Sequence, residues 1–468
     1  MVFRMRTRMV AVLVGAVAVM LAFAACSSSG SRRGTGSTTS STTSTSSTGG
    51  GDPSALAADA YIWGSPLVIT ERTLQTFGNL LGINHLYWQT ALSDPSSRVV
   101  VGPNVDTLYS VAVLDLRGGP VMLTVPRITD RYYTFQFIDA WTNSFAYVGT
   151  RATGGRSGTW LVSPPGWRGT VPSGAQQLVA PTAQVFLLGR FLVKDAADVA
   201  NVQRLHATVT LTPLGRTGAG ATTLGAPRGS PVAVATQDAS FYDELGDALA
   251  SNAPATDADR AALARFASLG IGPGRHPFRD GSPAARDVLT RGVARGEAAV
   301  TAAARSQSRA RDGWTIRLDI GTYTDVLVRA VVARVGWGAN VPQEAVYASS
   351  EVDGDGHRYD GTQSYVMHFA PGALPPVRAF WSLTLYGPTH FLVENSLHRY
   401  AIGDRTPTLV HNADGSLDLY IGHAAPRGHE GNWLPAPAGP FLLSLRMYLP
   451  GAPILEGRYL PPPVRRVR

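Results

Sequence analysis

The chain has 468 residues, 44% of them hydrophobic and 16% charged, with 50 glycines and 32 prolines. That length allows two or three domains with sizeable cores, and so much glycine and proline favours turns and many short strands. The formal net charge is +8, and taking away residues 1–25 removes Arg4, Arg6 and Arg8 and no acid, leaving 8 − 3 = +5. This mild, arginine-based excess (Lys194 is the only lysine) is not the footprint of a nucleic-acid binder. The single cysteine, Cys26, excludes an internal disulfide, a Cys-based zinc site and an iron–sulfur cluster.

The chain opens with basic residues 1–8, followed by an unbroken apolar run from Met9 to Ala25 and then Cys26. This is the pattern of a secretory signal peptide. The stretch Leu21-Ala22-Phe23-Ala24-Ala25-Cys26 resembles a bacterial lipobox, with Phe where the pattern prefers Leu. The resemblance implies cleavage before Cys26 and its diacylation, with palmitate-type chains that hold the protein on the extracytoplasmic face of the cell membrane. Ser27 to Gly51 is almost entirely Ser, Thr and Gly and reads as a flexible tether. Arg465, Arg466 and Arg468 form a small basic tail suited to anionic headgroups. The membrane, reached through the lipid, is thus the expected partner, and no nucleic acid is.

Asp52-Pro53 reads as a helix cap and first turn. A helix follows from Ala55 to about Phe77, with Gly64-Ser65-Pro66 expected to kink or interrupt it. From about Val99 to Pro213 the period becomes two, and Val121–Val125, Tyr132–Ile138, Trp160–Ser163, Val185–Leu188 and Thr208–Leu214 read as strands. A helix covers Asp195 to His206. Ala239–Ala250, Asp257–Leu269, Pro283–Arg309 and Thr322–Val335 read as helices of an Ala-rich middle. Glu344 to Leu460 returns to strands and turns, with Asp353-Gly354-Asp355-Gly356 and Asn412-Ala413-Asp414-Gly415 as turn signals. No short internal repeat is visible, although the two β segments could share an architecture. The fold class is α+β, divided into residues 1–25 (signal), 26–51 (tether), 52–215 (β-sandwich), 216–342 (helical connection) and 343–468 (β-sandwich).

Two sets of motifs are distinctive. The first runs Gly102-Pro103-Asn104-Val105-Asp106-Thr107-Leu108-Tyr109-Ser110, then Arg131-Tyr132-Tyr133, Asp139-Ala140-Trp141-Thr142-Asn143 and Leu188-Gly189-Arg190. The second runs Pro375-Pro376, Ala379-Phe380-Trp381-Ser382-Leu383-Thr384-Leu385-Tyr386, Asn412 to Leu417, Gly431-Asn432-Trp433-Leu434-Pro435 and Arg446-Met447-Tyr448. Together they resemble the bacterial DUF1254/DUF1214 proteins, over roughly residues 53–468. The resemblance implies two jelly-roll-like antiparallel β-sandwiches with attached helices, and no established reaction.

The candidate site residues follow from local chemistry. Asn104, Asp106 and Tyr109 precede or open a strand, and Asp106 reads either as a turn residue or as an acid/base with Tyr109 beside it. Asp139 ends an alternating strand whose faces are Tyr133, Phe135, Phe137 and Thr134, Gln136, Ile138. Flanked by aromatics, it could act as a paired carboxylate with Asp106 or simply cap a turn. Trp141 and Asn143 join it as ligand-binding candidates. In the second β segment Trp381, Tyr386, His390, Asn395, His398 and Arg399 are expected along two strands, with Phe380 and Ser382 facing opposite Trp381; Trp381 with His390 and Asn395 reads either as a platform for a sugar or small amphiphile or as ordinary sandwich core with a solvated face. Asn432 sits in a structural corner with a possible view of a cleft. No metal or cofactor is expected. The histidines lack ligand spacing, and Asp353-Gly354-Asp355-Gly356-His357 reads as a hairpin turn rather than a calcium loop. There is no G-x-S-x-G elbow and no phosphate or dinucleotide loop. A cleft between the sandwiches is the expected ligand site. The expected role is binding of a small molecule, glycan or lipid, with a hydrolase or lyase using Asp106 or Asp139 as the alternative.

Overall fold

The computed structural model describes residues 52–98, 102–214, 238–306 and 310–467. Cys26, the signal and the tether lie outside them. Among the described residues no helix is long and apolar enough to cross a membrane.

Helix α1, Pro53–Leu81, starts where Asp52 accepts the Ser54 amide at 2.9 Å. It runs unbroken through Pro66, contrary to an interruption there. Proline removes the donor to the Ile62 carbonyl, and the Ser65 hydroxyl supplies one at 3.1 Å. Helices α2 (Val199–His206), α3 (Phe241–Ser251), α4 (Asp257–Phe266), α5 (Pro283–Ser306) and α6 (Val326–Val335) follow in chain order. All but α2 belong to a helical block around α1. A Cβ on Gly292 or Gly296 of α5 would come within 2.4 Å of Ala57 or 2.5 Å of Tyr61, so these glycines let α5 lie directly on α1.

The first sandwich holds β1 (Tyr87–Trp88), β2 (Thr107–Asp115), β3 (Val121–Val125), β4 (Tyr133–Asp139), β5 (Ser144–Gly149), β6 (Gly158–Ser163), β7 (Ala175–Val179), β8 (Gln184–Leu192) and β9 (Thr210–Pro213). The second holds β10 (Thr315–Ile316), β11 (Ala345–Ser350), β12 (Tyr365–Phe369), β13 (Val377–Tyr386), β14 (Ala401–Gly403), β15 (Leu417–Gly422), β16 (Trp433–Pro435), β17 (Leu442–Pro450) and β18 (Val464–Arg466). Strand β10 therefore comes from within the segment read as a helical connection.

The sheets of the first sandwich run β1-β2-β8-β4-β5 and β7-β6-β3-β9; those of the second run β10-β11-β17-β13-β14 and β16-β15-β12-β18. Adding nine to each strand number of the first gives the second, down to the parallel pairs β6–β7 and β15–β16. Register follows the same rule. Arg190 lies opposite Tyr109 and Thr134, and Arg446 opposite Tyr347 and Ser382. Gly149 lies opposite Thr134 as Gly403 lies opposite Ser382. The chain is a structural duplication.

Each sandwich closes on its own apolar core. Leu108, Phe135, Phe137, Leu187 and Phe191 fill the first, and Val346, Trp381, Leu383, Leu445 and Met447 the second. The opposite faces of the two five-stranded sheets meet each other, where Tyr132, Leu192, Tyr347, Phe380 and Tyr448 form a shared cluster. Leu74 and Phe77 of α1 cover the rest of the first sheet's outer face through Tyr109, Val111, Val113 and Phe186. This two-sided burial explains why all nine residues of β2 and of β8 are buried.

Candidate functional site

The face between the sandwiches is apolar in part and polar where the chain enters β2. Asn104 turns the chain there: its Oδ1 accepts the Asp106 amide at 2.6 Å, and its Nδ2 donates to the Tyr448 hydroxyl at 2.8 Å. Asp106 is thereby aimed at the second sandwich. The Ser382 hydroxyl donates to it at 2.6 Å, and Arg405 pairs with its other oxygen. Arg405 also donates to the Val193 carbonyl at 2.8 Å and stacks on Phe380, 4.6 Å from the ring centre.

The duplication supplies the mirror of this contact. Asp106 stands three residues before Tyr109, and Glu344 three before Tyr347. Arg405 follows Gly403 by two, and Arg151 follows Gly149 by two. Arg151 pairs with Glu344 at 2.5 Å, and Tyr132 donates to the same carboxylate at 3.0 Å. Each sandwich thus lends an arginine to the other's acid. The acids' side chains are 4% and 1% exposed and the arginines' 23% and 26%, so the pairs are matched in burial.

The two equivalent positions differ in what lies above the arginine. Over Arg151 stands the ring of Tyr147, 5.1 Å away. Its counterpart in β14, opposite Thr384 as Tyr147 is opposite Gln136, is Ala401. Above Arg405 the space is open, a cleft of about 740 Å³. The first sandwich contributes residues 92–96, 105–106 and 193–196, and the second 397–403 and 405–408 with Ser382 and Glu394. The wall at 394–400 belongs to a long β13–β14 connection, residues 387–400, where the first sandwich has only 140–143. Asn395 shapes it, accepting the Leu397 and Arg399 amides at 3.2 and 3.1 Å and donating to the Arg399 carbonyl at 3.0 Å. His398 and His390 in this connection have φ of 48° and 60°. Non-glycine residues rarely hold such angles, and they gather at binding sites.

The rim is polar and of mixed sign. Glu394 accepts from the Tyr400 hydroxyl at 3.3 Å and lies 3.0 Å from the His398 ring. Lys194 reaches Asp130 at 3.3 Å from the opposite side. Beside Arg405, burial pushes the Asp404 carboxyl up to about 6 against the pull of that guanidinium.

The expected site residues divide accordingly. Asp106 lies on the cleft floor, Asn104 holds it there and reaches across the interface to Tyr448, and the bonds of Asn395 shape the wall. Tyr109, fully buried, lies farther along the interdomain face. Asp139 does not join Asp106. It pairs with Val185 at one end of β8, while Thr107, next to Asp106, pairs with Leu192 at the other, about 23 Å away at ~3.3 Å per residue. Asp139 is a turn residue: its carboxylate accepts the Trp141 and Asn143 amides at 2.9 and 2.8 Å. Burial raises it to about 6, against those bonds. Asn143 reaches on to the Tyr323 amide at 3.1 Å, and Trp141 is buried against Trp63 under the helices. Trp381 is a core residue of the second sandwich. Asn432 is structural, bonding Val410 and Asp418 backbone. His390 lies in the connection after β13 and not on a strand, its carbonyl accepting the Gly102 amide at 2.7 Å. Asn395, His398 and Arg399 lie in the same connection. The backbone there spends its hydrogen bonds on turns, Gly387 with Phe391, His390 with Gly387 and His398 with Asn395, so a second strand over 387–400 does not form.

Asp353, Asp355 and His357 bring ligand-type atoms within 4.8 Å of one another. Asp353 spends one oxygen on the Asp355 and His357 amides, which makes the segment the hairpin turn expected, closed by Val352 and Arg358. Ser382, Arg405, Arg151 and Glu344 were not among the expected site residues. No local motif marks them, because each acts on a partner in the other sandwich. The buried Arg190 and Arg446 did carry a signal: each interrupts a nine-residue apolar strand.

Two duplicated β-sandwiches, face to face with a polar cleft at one edge of their contact, define the class. Residues 83–213 match the model of DUF1254 and residues 344–452 that of DUF1214, both protein families of unknown function. The chain belongs to these families, with the two domains in tandem. It is similar to the crystal structure of the VPA0106 protein from Vibrio parahaemolyticus, with TM-score 0.69 and 25% identity over 89% of this chain and 100% of that one. It also matches a putative uncharacterized protein from Burkholderia cenocepacia, with TM-score 0.43 and 15% identity over 88% and 89% of the two chains. No curated protein matches it.

Proposed function

We propose that this is a cell-envelope lipoprotein, anchored through Cys26, that binds a small hydroxyl-rich ligand of the glycan type in the cleft between its sandwiches. One observation carries the binding role: at the edge of the contact beside Arg405, where Ala401 stands at the register position of Tyr147, a cleft of about 740 Å³ opens. Its rim of Ser, Thr, Tyr and mixed charges suits hydroxyl groups better than acyl chains. The elaborated 387–400 connection is where a duplicated scaffold would acquire a binding function. A hydrolase or lyase reading has little support. The Asp106 carboxylate is committed to Arg405 and Ser382, and Asp139 is distant.

The test is thermal stability of the full chain with envelope glycans, lipids and small aromatic compounds, since a ligand of the native state raises the melting temperature. The expected result is a glycan-dependent rise that Ala401→Tyr abolishes, because Ala401 lines the cleft and a tyrosine there fills part of it. A rise that persists in Ala401→Tyr, or none with any glycan, defeats the reading. The anchor has its own test: labelled palmitate should enter the wild-type chain and not Cys26→Ser.

A further inference from the structure

Two arginines lie within the contact of the sandwiches with no carboxylate hydrogen-bonded to either, Asp106 acting on Arg446 only through its field. Arg190 on β8 and Arg446 on β17 are equivalent by strand and register, opposite Tyr109 and Tyr347. They are 0% and 4% exposed. Arg190 donates to Gln136 Oε1 at 2.7 Å, Asn340 Oδ1 at 3.2 Å and the Gly338 carbonyl at 3.3 Å. Arg446 donates to Thr384 Oγ1 at 2.5 Å, the Gly102 carbonyl at 3.1 Å and the Tyr386 hydroxyl. Every one of these acceptors is neutral. Asn340 ties the two halves together, passing from Arg190 to the Tyr347 hydroxyl at 3.1 Å. Among the described residues, Arg190 Nε is buried with no hydrogen-bond partner.

The charge count does not close. The interdomain layer holds four guanidinium groups, Arg151, Arg190, Arg405 and Arg446, and two buried carboxylates, Asp106 and Glu344, so 4 − 2 = +2. Both carboxylates are already engaged by Arg405 and Arg151. Asp404 is at the rim, beside Arg405 and a third exposed. Burial works against tyrosine supplying the missing charge: it pushes the hydroxyls of Tyr132 and Tyr448 well up and raises those of Tyr347 and Tyr386, which favours their neutral forms. Arginine cannot escape by losing its proton. An uncompensated buried cation is strongly unfavourable, and here there are two.

We infer that the layer between the sandwiches binds a small monovalent anion such as chloride, held by Arg190 through its free Nε and shared with Arg446 beside Tyr109 and Tyr347. It is a structural site, separate from the cleft and independent of what the cleft binds. The anion welds the two halves where their arginines would otherwise repel.

The test uses bromide as a heavy substitute for chloride. Crystals of the full chain grown in bromide should show an anomalous peak beside Arg190 Nε. The melting temperature should be a few degrees higher in chloride or bromide than in gluconate at equal ionic strength. Arg190→Met should abolish that difference, and Arg446→Met should do the same if the first variant fails to fold. Arg260→Met, at an exposed arginine of α4 outside that layer, should preserve it. No peak and no anion dependence overturns the inference. So does a peak elsewhere with the difference retained in Arg190→Met, which marks an adventitious ion only. Tyrosinate absorbance near neutral pH would also overturn it, by supplying the counter-charge from within.

Discussion

The swapped ion pairs can be measured against each other. Asp106→Asn leaves Arg405 with the Val193 carbonyl and partial solvent, its side chain being 23% exposed. Breaking a fully buried pair costs about 3–5 kcal/mol, and an exposed one about 0.2–1 kcal/mol. A pair buried on the acid side and partly wet on the arginine side falls between, at about 2–3 kcal/mol for either single truncation. Much of that is the stranded charge, so the coupling from the cycle Asp106→Asn, Arg405→Met and the double variant should be about 1–2 kcal/mol. Glu344→Gln with Arg151→Met forms the equivalent cycle, at 1% and 26% exposure, and should give the same coupling within a factor of two. Equilibrium urea unfolding of each set supplies the numbers, provided the transition stays cooperative. Coupling below about 0.5 kcal/mol in both cycles would refute the claim that these pairs join the sandwiches. Strong coupling in one and none in the other would refute their equivalence.

Other expectations concern the turns, the wall and pH. A Cβ on Gly403 would lie 2.3 Å from the Trp381 carbonyl, so Gly403→Ala should force β14 off β13 at a cost of about 3 kcal/mol. Gly439→Ala, with nothing within 4 Å of its Cβ, should stay within about 0.5 kcal/mol in the same urea titration. Asn395→Ala removes the bonds that shape the cleft wall. Calorimetry should find the cleft ligand bound about tenfold more weakly while stability changes by only about 1 kcal/mol. His206 is buried between Trp88 and Phe191, and burial, aided by Arg131, lowers its pKa to about 3. The unfolded chain then binds the extra proton first, so this histidine draws down stability as pH falls from about 6.5 to about 3. The limiting loss is about 5 kcal/mol, at 1.36 kcal/mol per pKa unit. His206→Gln should flatten that part of the stability–pH curve, and an unchanged slope would show that the ring is not held neutral.

How much of this was legible in the sequence depends on the range of the interaction. The period-two runs located β3 and β9 to within a residue or two, because one-sided burial imposes alternation along a single strand, and β4 as closely although all seven of its residues are buried. Facing residues were legible too: Phe380 and Ser382 do point away from Trp381, into the contact between sandwiches. Pro66 misled, because the compensating donor from Ser65 is a matter of side-chain geometry and not of propensity. The candidate residues suffered most from distance. Asp106 was recognisable as a polar residue out of place, but its partners Ser382 and Arg405 come from the other half of the chain. Asp139 looked equally reactive, and only the lengths of β4 and β8 show it at the far end of the sheet. Trp381 and Asn432 resembled ligand groups because a core tryptophan and a corner asparagine have the same local sequence signature as exposed ones.

The duplication explains why the site lies where it does. Nine strands per half keep the same order, and the face-to-face contact repeats the same acid, arginine and tyrosine positions. Those parts are fixed by having to match their counterparts across the contact, where an unpaired charge is costly. The connections are not so constrained. Between β4 and β5 the chain turns through residues 140–143, and between β13 and β14 it travels through 387–400. Ala401, at the register position of Tyr147, lines the opening at one edge of the contact, and the longer connection walls it beside the intact Asp106–Arg405 pair. A cleft built this way inherits a rigid floor from the scaffold, Asp106 and Arg405, and a variable wall from a loop.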